Sequence, residues 1–183
     1  MIHEIFSRHG SDKPTIYMPT YQRIVVPIRD IARAILEIGI HQGASLRAWA
    51  EIFPSAHIYG LDIRVPDIDL GERVTMIEGS QDDVATLQRL RGLATYDLII
   101  DDGSHHPAHW YASYRALWPS VVRGGWYVIE DIQAPRHPGW PRGEIARMQD
   151  RVRDVLAPVI EQADDTDIDW IEAHQHIIAI RKR

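Results

Sequence analysis

The chain contains no cysteine, which excludes disulfides and thiolate metal sites. Positive charge is not in excess. Twenty Lys and Arg residues stand against 26 Asp and Glu, a formal net charge of -6, which argues against a nucleic-acid backbone as the main partner. The basic tip Arg181-Lys182-Arg183 reads as a solvated end. No apolar run approaches the roughly 20 residues that a membrane span needs. The N-terminus lacks the apolar core of a secretion signal, because Arg8, His9, Asp12 and Lys13 interrupt it. There is also no internal repeat, low-complexity tract or domain linker. What remains is a single domain of 183 residues with 45% hydrophobic and 25% charged content, enough for one sizeable core. The expectation is a cytoplasmic enzyme with neither a nucleic acid nor a membrane as partner.

Hydrophobic patterning alternates between strand and helix along the chain. Strands are expected at residues 34–38, 57–63, 74–78, 96–101 and 126–129, with a closing pair at 168–173 and 176–181. Helices are expected at 24–32 around Pro27, at 44–52, at 81–90 with Val84, Leu87 and Leu90 on one face, and from Pro107 to about residue 118. A glycine turn at Gly124-Gly125, a loop at 139–142 and a charged helix at 143–156 complete the order. The nearly unbroken apolar run into Asp101 suits a central strand covered on both faces. Alternation of this kind predicts an α/β fold, a doubly wound and mainly parallel sheet.

Carboxylates stand where such a sheet places its active site, at the C-terminal ends of its strands. Asp101-Asp102-Gly103-Ser104-His105 ends one apolar run and Glu130-Asp131 ends another. Together they offer oxygen ligands for one hard divalent cation, with a histidine nearby to take a proton.

A further run, 34–38, enters the glycine-spaced turn Gly39-Ile40-His41-Gln42-Gly43. Glycines let the backbone pass close to a ligand, and the following helix start offers free N–H groups. The third glycine of a dinucleotide fingerprint is missing. Glu37 would repel a pyrophosphate but suits a cationic ligand. Asp62 ends the second strand, where an acid can bind both ribose hydroxyls. With both acids in register, a nucleoside cofactor is favoured over a plain tight turn.

On these residues the chain resembles the class I S-adenosylmethionine-dependent methyltransferases. Within them it is most similar to the metal-dependent sugar O-methyltransferases of macrolide biosynthesis, the mycinamicin type. The matching stretches are Gly10-Ser11-Asp12-Lys13 with Tyr17 and Tyr21, then 36–47, 59–63, 97–105 and 124–132. The specific part is the pair Asp-Asp-Gly-Ser-His and Val-Ile-Glu-Asp.

The resemblance implies a seven-stranded Rossmann-like sheet with an antiparallel last strand, S-adenosylmethionine and Mg2+ as cofactors, and a place in antibiotic biosynthesis. It implies that Glu37, Gly39 and Ser45 line the methionine end, that Asp62 holds the ribose, and that Ser80, Gln81 and Asp82 flank the adenine. Ser80 stands where the family often has an acid. Asp101 is grouped with the cofactor side, although a role in orienting its loop is favoured over metal ligation. Asp102, Glu130 and Asp131 match the metal triad. His105 matches the general base, with Asp102 counted beside it as catalytic. Lys13 and Tyr17 belong to an N-terminal flap, 1–33, over a core of 34–183 in one methyltransferase domain. The long N-terminal domain of the macrolide enzymes has no counterpart in the matching stretches.

Other readings of the same residues are weaker. His105, His106 and His109 tempt a zinc site, but Pro107 should separate the first two from the face of His109, a helix-surface residue. The run 165–169 resembles a calcium loop but has Trp170 where glycine is needed and His176 where glutamate is needed. Trp110, Trp118, Trp126 and Trp140 read mainly as packing, though Tyr17, Trp110 and Trp140 could wall an acceptor.

The expected acceptor is a vicinal diol on a sugar-bearing small molecule, since two adjacent oxygens can take two positions on the ion. A neighbouring subunit is expected to complete the pocket in a homo-oligomer. A catechol-type O-methyltransferase and a non-catalytic cofactor-binding accessory protein are the alternatives.

Overall fold

The computed structural model describes residues 2–132, 157, 167–174 and 176–183. The loop expected at 139–142, with Trp140, and the helix expected at 143–156 lie outside the described residues. The elements run α1 (Ile2–Arg8), α2 (Met18–Ile28), β1 (Ala34–Ile38), α3 (Ala44–Ile52), β2 (His57–Asp62), β3 (Val74–Glu78), α4 (Val84–Leu93), β4 (Tyr96–Asp101), α5 (Pro107–Leu117), β5 (Val121–Ile129), β6 (Ile168–Ala173) and β7 (Ile178–Lys182).

Seven strands form one sheet in the order β3-β2-β1-β4-β5-β7-β6. The first five pair parallel, and β7 pairs antiparallel with both β5 and β6. This is the expected Rossmann-like architecture with an antiparallel last strand. Strand order reverses between β1 and β4, and ligands of open parallel sheets bind outside the strand ends at such a switch point.

Both faces are covered. Ile35, Ile58, Leu98, Ile100 and Val128 pack with the helices α1 to α3. Leu36, Ile38, Ile99, Tyr127 and Ile129 pack with α4 and α5. All five residues of β1 are buried, Glu37 among them. A strand with apolar residues on both faces needs this double cover.

The largest departures from the expected boundaries are in three elements, beside shifts of one or two residues in β2 and β7. The second helix spans Met18–Ile28 instead of 24–32. Pro19 suits its first turn, and Thr20, Tyr21, Ile24 and Val25 form its buried face, leaving Pro27 in the last turn. Helix α4 starts at Val84, because Asp83 caps it by accepting from the Thr86 amide. Val84 is then exposed, and only Leu87 and Leu90 are buried there. Strand β5 begins at Val121, so the Gly124-Gly125 pair lies within it, with Gly124 at a φ of 77°. Among the described residues no helix is long and apolar enough to cross a membrane.

Candidate active site

Three strand ends meet at the switch point. The Asp102 amide donates to the Ile38 carbonyl at 2.8 Å, and the Glu130 amide to the Asp101 carbonyl at 2.9 Å. These bonds extend the sheet past its formal ends and bring Gly39, Asp102 and Glu130 side by side. Gly39 has a φ of 84°, and a Cβ there would strike the Asp102 carbonyl. Glycine is therefore required by the neighbouring chain as well as by any ligand. Gly43, at a φ of 76°, precedes α3 in the left-handed conformation that favours glycine.

A cavity of about 350 Å³ opens beside this turn, lined by Gly39, Leu61, Asp62, Gly79, Ser80, Gln81, Ser104 and His109, among others. Asp62 Oδ2 accepts from the amides of Ile40 and His41 at 2.9 and 3.0 Å, and Oδ1 accepts from the Arg64 amide at 3.1 Å. Asp62 thus holds the glycine turn in shape and still faces the cavity. Gln81 is buried and bridges two strand ends. Its Nε2 donates to Asp101 Oδ1 at 3.0 Å, and its Oε1 accepts from the Ser104 amide at 2.6 Å.

At the outer rim, Ser80 donates to Asp82, and this bond above all holds the Asp82 carboxyl below its ordinary range. His109 lies 2.8 Å from Ser104 Oγ and 3.5 Å from Asp82. It is therefore part of the cavity wall, not the plain helix-surface residue expected. His106 caps α5 by accepting from the Ala108 amide, and its ring centre lies 4.9 Å from that of His109. The expected separation of these two rings fails because the cap curls His106 back over the first helical turn.

An adjoining acidic basin of about 520 Å³ shares Gly39, Asp62, Ile63 and Gly103 with the first cavity. Lys13 reaches into it from the N-terminal segment. Its Nζ lies 2.9 Å from Glu37 Oε1, 3.0 Å from Asp102 Oδ2 and 2.7 Å from Glu130 Oε2. Tyr21 donates to the other oxygen of Glu130, and Tyr17 donates to Asp131 Oδ1. Ser45 donates to Glu37 Oε2 at 2.5 Å.

Burial works against the Lys13 ammonium, but the charges of Asp102, Glu130 and Glu37 outweigh it and raise its pKa well above the ordinary lysine value. Burial lifts the carboxyls of Glu37 and Glu130, and the nearby Lys13 offsets only part of that rise.

His105 and Asp131 both adopt left-handed backbone, with φ of 56° and 53°. Such conformations are uncommon for residues other than glycine and gather at functional sites. His105 Nε2 faces Asp131 Oδ2 at 4.0 Å, while its Nδ1 is buried without a hydrogen-bond partner. Asp102, His105 and Asp131 can each offer a ligand atom, all within 4.8 Å of one another. Two carboxylates and an imidazole on one rim fit a hard divalent cation. Of the expected triad, Asp102 and Asp131 stand in this cluster. Glu130 lies behind it with both oxygens engaged by Lys13 and Tyr21.

Asp101 does not reach either cavity. It is fully buried, and accepts from Ser113, from Tyr127 at 3.0 Å and from Gln81 at 3.0 Å. Burial raises its carboxyl above the ordinary range despite these donors. These contacts tie Asp101 to α5, β5 and the Gln81 loop, a placement that suits loop orientation and sets the carboxyl apart from the residues lining the cavities. Trp110 is likewise fully buried in the α5 core and cannot wall an acceptor. In the run that resembled a calcium loop, Asp167 accepts from Trp118 at 2.6 Å and Asp169 pairs with Arg181 at 2.8 Å.

Sequence reasoning missed Tyr21 as a site residue, although it lies one helical turn from Tyr17 and so on the same face. It also missed Ser113 and Tyr127, which brace Asp101. Nothing in their local sequence marks them.

A model of a methyltransferase domain family matches residues 36–132, more than half of the chain. The chain is similar to 8-demethyl-8-(2-methoxy-alpha-L-rhamnosyl)-tetracenomycin-C 3'-O-methyltransferase of Streptomyces olivaceus, at 36% identity over 79% of this chain and 40% of that protein. It is also similar to mycinamicin VI 2''-O-methyltransferase of Micromonospora griseorubida, at 40% identity over 68% of this chain and 33% of that protein. Among solved structures it superposes on MycE methyltransferase from the mycinamycin biosynthetic pathway, in complex with Mg, SAH and mycinamycin VI. That match has a TM-score of 0.84 and 31% identity, over 99% of this chain and 54% of that one. The chain thus spans less than half the length of these curated relatives and about half of the solved one.

Proposed function

The chain belongs to the methyltransferase domain family, and we propose that it is an S-adenosylmethionine- and Mg2+-dependent O-methyltransferase acting on a hydroxyl of a small molecule, a sugar of a natural product. The observation that carries this reading is the convergence of Asp102, His105 and Asp131 within 4.8 Å beside the cavity at the Gly39 turn. The named relatives support it, since they are 3'- and 2''-O-methyltransferases of glycosylated natural products.

Each half of the site has a role in this reading. Glu37, held by Ser45, would receive the cationic methionine end of the cofactor at the Gly39 turn. Asp62 Oδ1, with one backbone donor, keeps capacity for ribose hydroxyls. Ser80, Gln81 and Asp82, joined by His109, would flank the adenine. Asp102, Asp131 and Glu130 would hold the metal, with His105 beside them. A bound Mg2+ supplies stabilisation of the acceptor alkoxide, and S-adenosylmethionine supplies the activated methyl group. His105 would take the acceptor proton at Nε2, the nitrogen that faces Asp131, whose charge then stabilises the imidazolium.

The N-terminal segment, 1–33, would act as the flap, with Lys13 and Tyr17 reaching over the strand ends. A vicinal diol would place two oxygens on the ion and so select one hydroxyl. A neighbouring subunit would complete the acceptor pocket, giving a homo-oligomer; a stable monomer of full activity in sedimentation would refute that part.

A methyl-transfer screen with labelled cofactor tests the whole reading, using rhamnosyl-bearing and catecholic acceptors with and without Mg2+. Transfer to the sugar diol only in the presence of the ion is the expected result. Transfer to catechols alone would favour the catechol-type alternative. Cofactor binding without transfer to any acceptor would favour the accessory protein.

A further inference from the structure

Lys13 joins the two halves of the site. Its Nζ meets Glu37 on β1 at 2.9 Å, Asp102 past β4 at 3.0 Å and Glu130 past β5 at 2.7 Å. A primary ammonium has three N–H donors, and here three carboxylates from three strand ends surround it. Its side chain is only 2% exposed. Glu37 belongs to the cofactor half, while Asp102 and Glu130 belong to the metal half. Tyr21 occupies the other oxygen of Glu130. As the side chains stand, each Glu130 oxygen already accepts from one donor, and a metal ion at Oε2 would share that oxygen with the Lys13 ammonium. Asp102 Oδ2 is engaged in the same way.

We infer that Lys13 is the resident counter-cation of this cage and competes with the divalent ion for Glu130 Oε2 and Asp102 Oδ2. Metal loading draws the ammonium off those two oxygens and leaves it with Glu37. Lys13 is then a positioning residue. It neutralises the basin before the ion arrives, and it sets how tightly the ion is held. The two effects have opposite signs. Removing the ammonium weakens the metal-free protein, because buried carboxylates lose their partner, and strengthens metal binding, because a competitor is gone. A lysine that only supported the fold would weaken both.

This inference rests on the metal-dependent reading, and the test separates the two. Mn2+ binding is measured by electron paramagnetic resonance on the whole protein, wild type and Lys13→Met, beside melting curves without metal. The variant should bind Mn2+ at least tenfold tighter and melt at a lower temperature. Wild type that binds Mn2+ with a variant that binds no tighter overturns the role of Lys13 alone. No binding in either protein overturns the metal-dependent reading and this inference with it.

Amine acylation gives a second measurement on the wild type, because the chain has only two lysines, Lys13 and Lys182. Lys182 donates to the Trp118 carbonyl on another part of the sheet and serves as the internal reference. Without metal, Lys13 should label far more slowly than Lys182, and saturating Mg2+ should raise the ratio severalfold. A ratio unchanged or lowered by Mg2+ overturns the displacement. If Lys13→Met does not fold, this ratio alone decides.

Discussion

In the cavity beside Asp62, polar groups are tied to near neighbours in the chain. Asp62 binds amides 21 and 22 residues away and one two residues away, Ser80 binds Asp82, and Gln81 binds Asp101 across 20 residues. In the basin beside Lys13, the ties to Asp102, Glu130 and Asp131 run from the N-terminal segment to strand ends 89 to 117 residues further on. The first cavity is set by strand-turn-helix units that each close locally. The second is walled by strand ends on one side and by the N-terminal segment on the other, which brings in Lys13, Tyr17 and, on α2, Tyr21. Under the proposed function, local closure would suit a nucleoside cofactor, and long-range closure would let the charged half respond to a bound ion.

The largest effects should appear in the basin and leave the cavity untouched. Chelation should abolish turnover, a loss on the order of 10³-fold or more if the ion supplies several kcal/mol of charge stabilisation. Cofactor affinity should change less than twofold under the same conditions, as calorimetry can show. Full turnover in excess chelator would break the division at once. His105→Ala should lower turnover by ~10²-fold or more, the range of general-base catalysis. Steady-state kinetics with equilibrium binding checks this, and a near-normal rate would move the base to another residue.

Bracing of the shared wall should show as stability and not as affinity. Asp101→Ala leaves Gln81, Ser113 and Tyr127 without their common acceptor, and should cost roughly 3 kcal/mol in denaturant unfolding. A cost near zero would mean that Asp101 does not hold the loop.

The smallest effect should come from the outer tie of α2 to β6. Burial pushes the Glu172 carboxyl up, but bonds from Arg23, Thr20 and His174 outweigh it and hold it below the ordinary carboxylate range. A lowered folded pKa contributes stability above the unfolded value, near 4.3, and loses it as pH falls through the folded one. Glu172→Gln should therefore cost less than about 1 kcal/mol at neutral pH, because the pair is partly exposed and screened. It should also flatten the loss of stability below pH ~4. An unchanged acid limb of the stability profile would remove Glu172 from the docking of α2.

This same division explains what was legible in the sequence. Strands β1, β3 and β4 and helix α3 fall where periodicity puts them, because each is bounded by its own glycine, proline or acid. That Asp102, Glu130 and Asp131 share one edge with His105 nearby is legible because parallel strands deliver their C-terminal ends there; that Asp102, His105 and Asp131 form the tight cluster is not. The engagement of Glu130 by Lys13 and Tyr21 was not readable. It depends on how a distant helix docks, and no local pattern encodes that. Asp101 and Asp102 show the limit most sharply. They are adjacent and chemically identical, yet the pleat sends one into the core and the other to the rim. His109 lies in the cavity wall because the first turn of α5 borders Ser104 and Asp82, a placement that helical periodicity does not encode.

The division is tested most directly by crossing two variants with two ligands. S-adenosylmethionine and Mn2+ are titrated separately into Asp62→Ala and Asp102→Asn. The expected result is that Asp62→Ala binds the cofactor about tenfold more weakly, a change of ~1.4 kcal/mol, and Mn2+ normally. Asp102→Asn should lose Mn2+ and keep the cofactor. Loss of both ligands in both variants, or the reverse assignment, would contradict a site built from a nucleoside cavity at the Gly39 turn and a metal basin past β4 and β5.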